Sequence, residues 1–144
     1  MKDLLLKLTA HLRAMQLYYH SAHHHSSRVA FFSDHGAFSD FYQELDDQYD
    51  SAAERLIGNY GQDALNLQVL MSLVTPKLQM CPSNTAKDNS DLFNYGLQME
   101  QQLLLEVENL CKSPECSESD KQLISEFGNQ AKSRVYKIKQ RIKK

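Results

Sequence analysis

Residues 31–56, FFSDHGAFSDFYQELDDQYDSAAERL, decide the fold of this chain of 144 residues. Apolar and aromatic side chains recur in this stretch every three or four positions, which is the spacing of one buried face on an α-helix. The members of that face are Phe38, Phe41, Leu45, Tyr49, Ala52 and Leu56. The pattern predicts a long helix that ends near Gly58 and Gly61, because glycine is common just after a helix.

The same spacing recurs in three other segments of the chain. It predicts a first helix that runs to about Ser27, a third marked by Leu92 to Leu110, and a fourth marked by Ile124 to Ile142. The composition is rich in Leu, Gln, Glu, Lys and Ala, which favours helix over sheet. We therefore expect an all-α protein.

The middle of the chain predicts a long connection between the second and third helices. A short helix over Leu65–Leu73, which Pro76 stops, is followed by a loop over residues 75–89 that contains two prolines. Four long helices joined in this way form a bundle whose second and third helices are parallel, as in ferritin-like proteins. The length fits one core, so we expect a single domain, residues 1–144, with a basic C-terminal end at residues 132–144.

The hydropathy pattern indicates where the protein resides. Nowhere do 18 apolar residues occur in succession, so we expect no membrane span. The first ten residues carry Lys2, Asp3 and Lys7 and lack the apolar centre of a signal peptide. We expect a cytoplasmic protein.

Two histidines and two carboxylates form a candidate metal site: His23, His35, Asp50 and Glu54. Imidazole nitrogens together with paired carboxylate oxygens suit iron or zinc. If His35 and Asp50 lie on one helix, 15 residues at a rise of about 1.5 Å place them about 22 Å apart. No single ion spans that distance, so the two halves could meet only if a second copy of the chain packed antiparallel against the first.

Each half of this site also has a simpler interpretation. An aspartate and a glutamate four residues apart are common on exposed helices, where Asp50 or Glu54 could pair with Arg55 or another surface base. The run His23–His25 could be a solvated helix end or a fortuitous site for zinc or nickel. An intrachain di-iron centre of the ferritin type is not expected, because all six histidines lie between His11 and His35 and the last two helices have none.

Residues 31–56 resemble the second-helix signature of the Dps miniferritins, the starvation-induced DNA-protecting proteins, and the likeness extends through NLQVLMSLVTPKL, residues 66–78. The resemblance implies a dodecameric shell of four-helix subunits with a small helix in the central connection. It also implies a ferroxidase site across a two-fold interface, with the two histidines from one subunit and Asp50 and Glu54 from its neighbour. Peroxide or dioxygen would oxidise Fe(II) there, and the shell would store Fe(III), which protects DNA in the bacterial cytosol or nucleoid.

Two positions depart from the pattern of that family. Ser39 stands where a further acidic residue is common, and Asp40 beside it lies about 100° around the helix. His24 stands where a tryptophan commonly follows the first histidine. The alternative function is therefore a non-enzymatic shell, DNA-binding or architectural, with a degenerate metal site. A third class is a helical interaction module that forms no shell.

Two charged segments carry the remaining predictions. By analogy with the three-fold channels of the family, Glu115, Glu118 and Asp120 are candidate pore residues, and a solvated acidic loop is the other interpretation. The last 13 residues hold seven bases and no acid, so residues 1–131 carry −9 within a chain of −2. Displayed many times on a shell, these bases could bind DNA phosphates without sequence preference, or they could complement a helix C-terminus. The candidate DNA-binding residues are Lys137, Lys139, Arg141, Lys143 and Lys144.

Overall fold

The computed structural model describes residues 1–82 and 85–143, and within them all regular structure is helical. The five α-helices are α1 (Lys2–His25), α2 (Phe31–Tyr60), α3 (Leu67–Leu78), α4 (Asn89–Lys112) and α5 (Glu118–Ile142). A short 3-10 helix, Gln62–Ala64, follows α2. The prediction of an all-α chain with a short extra helix in the central connection is confirmed.

Contacts between the helices establish their directions. A short turn, residues 26–30, joins α1 to α2, and the two pack side by side, so they are antiparallel. α1 is also antiparallel to α4, because His11 bonds to the Met99 carbonyl whereas Tyr18, further along α1, bonds to that of Leu92. Since α2 and α4 both run opposite to α1, they are parallel to each other, as the long connection predicts.

The predicted apolar face of α2 forms part of the bundle core. Five of its six members are buried: Phe38, Phe41, Leu45, Ala52 and Leu56. Tyr49 is partly exposed and lies under the Arg13 guanidinium, which is 4.2 Å from the ring centroid. The helix ends at Gly61, whose φ of 92° is in the left-handed region that favours glycine.

The prediction that Pro76 stops the short helix was wrong. α3 continues through Pro76 to Leu78, and the loop begins only after that residue. A proline in the last turn of a helix removes one backbone hydrogen bond, and burial of Leu70 and Val74 in the core favours the helical conformation regardless. The Tyr95 hydroxyl also donates to the Lys77 carbonyl at 2.7 Å, which satisfies one of the acceptors left unpaired at the helix end.

A buried ion pair crosses the centre of the bundle. Arg134 on α5 donates to both carboxylate oxygens of Glu100 on α4, at 2.7 and 3.0 Å. The Tyr19 hydroxyl donates to the same Glu100 carboxylate at 2.6 Å, and Glu44 on α2 accepts from Arg134. Polar groups from all four long helices therefore meet in one network, which extends from the apolar core to the half-exposed Glu44.

His11 on α1 is a buried histidine whose second ring nitrogen has no partner within the described part of the chain. Its Nε2 bonds to the Met99 carbonyl at 2.8 Å, which makes Nε2 the protonated nitrogen and leaves Nδ1 without a donor. Burial lowers the pKa of His11 to about 4, and the positive charge of Lys77 contributes to this decrease. The bond to the Met99 carbonyl acts in the opposite direction but is the smaller effect.

We expect His11 to make the fold sensitive to acid. An unfolded histidine titrates near pH 6.5, so between that pH and about 4 only the unfolded chain binds the proton, and stability falls as the pH falls. The loss is about 2–3 kcal/mol at pH 4.5. Chemical denaturation at pH 7 and pH 4.5 measures it against His11→Gln, which keeps a donor for Met99 but does not titrate. An equal loss in both proteins would contradict this expectation.

No helix among residues 1–82 and 85–143 has both the length and the apolar character needed to cross a bilayer.

Candidate metal centre

His23 and His35 lie against each other at one end of the bundle. His23 is in the last turn of α1 and His35 near the start of α2, on either side of the turn at residues 26–30. In that turn Arg28 adopts a φ of 68°, which reverses the chain and brings the two helix ends together. The imidazole rings stack with their centroids 3.6 Å apart and their planes 23° from parallel.

Each of these histidines is held by the backbone of the other. The Nδ1 of His23 bonds to the His35 carbonyl at 2.8 Å, and the Nδ1 of His35 bonds to the His23 carbonyl at 2.8 Å. Because a carbonyl oxygen only accepts, both Nδ1 atoms carry a proton, and in the neutral tautomer this leaves the lone pair on Nε2. A backbone carbonyl on the far nitrogen is the usual support of a metal-binding imidazole.

The spacing of the rings bears on how many ions they could hold. With metal–nitrogen distances of about 2.0–2.1 Å, two imidazoles on one tetrahedral ion have centroids roughly 5 Å apart. His23 and His35 are closer than that, at 3.6 Å. The stacked arrangement therefore suits one ion on each Nε2 better than one ion shared by both.

Asp50 and Glu54 are exposed on α2, one helical turn apart. Both face solvent, as the simpler interpretation has it, but Arg55 is not their partner, because the Arg55 guanidinium bonds to Asp120 at 2.6 Å. Within residues 1–82 and 85–143, neither carboxylate forms an ion pair with another side chain. Both are therefore available to a ligand outside the chain.

One protomer alone does not assemble the four predicted ligands. α2 is a continuous helix from Phe31 to Tyr60, so His35 and Asp50 are about 22 Å apart along it. In the part of the chain that the structure describes, no three histidine, cysteine, aspartate or glutamate side chains are placed to hold a metal ion. His23 and His35 come together, and Asp50 and Glu54 come together, as two separate half-sites.

The two accessory residues lie beside His35 on α2. Ser39, one turn further on, is half-buried, and its hydroxyl accepts from the Gln43 amide at 2.9 Å. Asp40 is exposed. A hydroxyl is a weaker metal ligand than a carboxylate, so this half-site has two imidazoles as its strong donors.

Two aromatic neighbours of the histidine pair were not predicted from the sequence. The ring of His20 stacks on that of Tyr42 with centroids 4.1 Å apart and planes 16° from parallel. Tyr42 also meets the edge of His23, at 5.4 Å between centroids. The sequence places His20 one helical turn before His23, so both lie near the same face of α1. The contact of His20 with Tyr42 could be predicted only with knowledge of which face of α1 meets α2.

The candidate pore residues have different environments. Asp120 is buried, and burial by itself raises the pKa of its carboxyl group. Hydrogen bonds from Arg55 and Ser117 outweigh this effect and hold the pKa of Asp120 below its usual value. Its charge is thus used within the subunit, between α2 and α5. Glu115 pairs with the N-terminal ammonium at 3.1 Å, and Glu118 is exposed beside Lys121 at 3.4 Å.

The basic C-terminal segment divides into buried and solvated parts. Arg141 forms two hydrogen bonds with the buried carboxylate of Asp34, at 2.9 and 2.8 Å, so its charge stabilises the packing of α5 on α2. Lys137, Lys139 and Lys143 are exposed. Lys144, the last candidate, lies outside the described residues.

Comparison with known proteins extends this description. No protein-family model and no curated protein sequence matches the chain. Among solved structures, Dps from Listeria monocytogenes superposes with a TM-score of 0.87 at 20% identity, covering 99% of this chain and 93% of that one. A cobalt-soaked Dps from Listeria innocua superposes with a TM-score of 0.85 at 20% identity, and the match covers 99% of this chain and 92% of that one. A histidine-to-glycine variant of Dps from Listeria innocua superposes with a TM-score of 0.85 at 19% identity, and the match covers 99% of this chain and 95% of that one. At these identities the likeness shows the fold.

Proposed function

We propose that this chain, which has the Dps-type ferritin-like fold, is an iron-binding miniferritin that oxidises Fe(II) at sites shared between subunits and stores Fe(III) in a shell. The observation that carries the proposal is the pairing of His23 with His35, in which the backbone of each residue fixes the other ring through Nδ1 and leaves Nε2 as the nitrogen that can face a metal. Storage of Fe(III) in the cytosol would protect DNA from oxidative damage.

A two-fold axis would complete the site. Each copy offers imidazoles at one place on its surface and carboxylates about 22 Å away along α2. In a two-fold dimer the histidines of one subunit contact the carboxylates of its partner, and the reverse contact forms at the same time. One interface would therefore contain two equivalent sites, each with His23 and His35 facing Asp50 and Glu54.

The outer face of α3 supports association with another copy of the chain. Leu67, Val69 and Met71 are 70%, 47% and 38% exposed on this short helix, whereas Leu70 and Val74 are buried in the core. Adjacent exposed apolar side chains on a small domain indicate an interaction surface. We infer a homo-oligomer, and the Dps fold favours a dodecamer built from two-fold dimers.

The proposed chemistry follows from this ligand set. Neutral imidazoles and carboxylates bind Fe(II) with coordination positions left open, and the carboxylate charges favour the more highly charged Fe(III). One peroxide takes one electron from each of two Fe(II) ions and, with two protons, leaves as two molecules of water. Two neighbouring ions, one on each imidazole, would thus supply both electrons without release of a hydroxyl radical. Zinc suits the same ligands and would compete with iron.

Iron oxidation by the purified protein tests this proposal. We expect Fe(II) added under anaerobic conditions to be oxidised on addition of peroxide much faster than in buffer, as measured by the absorbance of Fe(III). Sedimentation should give a mass of many subunits. Oxidation at the rate of buffer in a multi-subunit particle would instead favour the non-enzymatic shell, and the mass of one chain would favour a helical interaction module.

The non-enzymatic alternative is supported by two features. Ser39 provides a hydroxyl where a carboxylate would strengthen the metal site. Lys137, Lys139 and Lys143 project their charges from α5 into solvent and, repeated over a shell, would attract DNA phosphates. For iron entry, Glu115, Glu118 and Asp120 remain the proposed pore residues, and each of them has a cationic neighbour within the subunit.

A further inference from the structure

We propose that His20 and His24 form a second metal site, separate from the iron site, for a divalent ion of the zinc class. The two residues are four positions apart on α1, so their side chains share one face of the helix. Two histidines with this spacing on a helix are a recurrent metal-binding pair, since both rings reach the same ion.

The spacing of the two rings fits one shared ion. The ring centroids of His20 and His24 are 4.9 Å apart, with planes 33° from parallel. Two imidazoles on one tetrahedral zinc ion have centroids roughly 5 Å apart. The rings of His23 and His35 lie too close for this arrangement, at 3.6 Å. His20 and His24 therefore have the spacing of a chelating pair without any movement of the helix.

His20 is held in position, and His24 is accessible. Stacking on Tyr42 fixes the half-buried ring of His20, so little side-chain entropy remains to be lost when an ion binds. His24 is exposed. The ring of His20 is stacked rather than hydrogen-bonded, and among the residues that the structure describes no side chain or backbone group is hydrogen-bonded to either ring, so the ring nitrogens are free to face a metal.

The donor set determines which metal would bind. This site offers nitrogen ligands alone, and imidazole binds copper, nickel and zinc more tightly than Fe(II). Two protein ligands leave two tetrahedral positions for water or another small ligand. The ring centroid of His23 lies 6.3 Å from that of His20 and 5.3 Å from that of His24, and we assign the Nε2 of His23 to the proposed iron site rather than to this one.

Zinc titration of the assembled protein tests the second site. The titration is best done by calorimetry in a background of His35→Ala, Asp50→Asn and Glu54→Gln, which leaves the proposed iron site with the single imidazole of His23 and keeps His20 and His24 intact. We expect one zinc ion per subunit to bind in that background, and its affinity to fall at least tenfold on adding His24→Ala or His20→Ala. His25→Ala is the matched control, because His25 is exposed in the same turn, and it should leave zinc affinity unchanged.

Two results would overturn the second site: no effect of His24→Ala, or an equal loss with His25→Ala, which would indicate loose binding to the histidine run. Because His24 is exposed, its replacement does not threaten the fold even if that of His20 does. The background with His35→Ala, Asp50→Asn and Glu54→Gln also separates this proposal from the proposed function. Loss of iron oxidation there, with zinc binding retained, shows that the two sites are independent.

Discussion

Replacement of Arg134 by methionine is expected to lower the free energy of unfolding by about 3–5 kcal/mol. Arg134 is 2% exposed and its partner Glu100 is 0% exposed, so the substitution leaves a carboxylate in the core without its counter-charge. Burial already raises the pKa of Glu100, although Arg134 acts in the opposite direction. Without Arg134, the Glu100 carboxylate must either keep its negative charge in the core or bind a proton at neutral pH. Chemical denaturation at pH 7 measures the loss.

The matched control for this experiment is Lys137→Met. Lys137 is exposed on the same helix, so its replacement should change stability by less than about 0.5 kcal/mol. The double variant Glu100→Leu with Arg134→Met removes both charges and should regain much of the loss, because replacing a whole buried ion pair by apolar groups is often nearly neutral. A loss with Arg134→Met no larger than that of the control would contradict the importance of this ion pair.

Removal of either half of the iron site is expected to lower the rate of Fe(II) oxidation at least roughly 100-fold, since supporting residues alone cost 10- to 100-fold at metal sites. His35→Ala removes one imidazole and also the Nδ1 donor that contacts the His23 carbonyl. Asp50→Asn with Glu54→Gln removes two negative charges while preserving shape. Both carboxylates are exposed, so the subunit fold should be retained.

Asp47→Asn is the matched control for the carboxylate variant. Asp47 is likewise exposed on α2, only one turn before Asp50, yet it belongs to neither half-site. Circular dichroism and sedimentation should be unchanged in all these proteins, so a loss of oxidation reports on the site. Oxidation by the Asp50, Glu54 variant at the rate of the Asp47 variant would show that these carboxylates are not ligands.

The periodicity of apolar residues was sufficient to predict the bundle. A helix must bury one face, and the positions of Phe38 to Leu56 specify that face without knowledge of the partner. Gly61 marked the end of α2 because its φ of 92° is a local property of the chain. Pro76 misled because the stability of α3 depends on burial of Leu70 and Val74 against α1, and such tertiary contacts are not visible in local sequence.

The residues of the candidate site could be proposed from the sequence, but the geometry of the histidine pair could not. Spacing indicated His23 and His35, but the reciprocal bonds depend on a turn in which Arg28 adopts a left-handed conformation. The roles of Arg141 and Asp120 were not visible either. A charged residue near a helix end has the same pattern whether it faces solvent or a buried partner, and only the fold brings Asp34 to Arg141.

A subunit-mixing experiment tests the shared site most directly. One variant carries His23→Ala and His35→Ala, and the other carries Asp50→Asn and Glu54→Gln; each alone has no complete site. If imidazoles from one subunit meet carboxylates from its neighbour, random reassembly of an equal mixture restores about a quarter of the sites. We predict about a quarter of the wild-type rate of Fe(II) oxidation after reassembly. A mixture no more active than its two components would contradict the shared site.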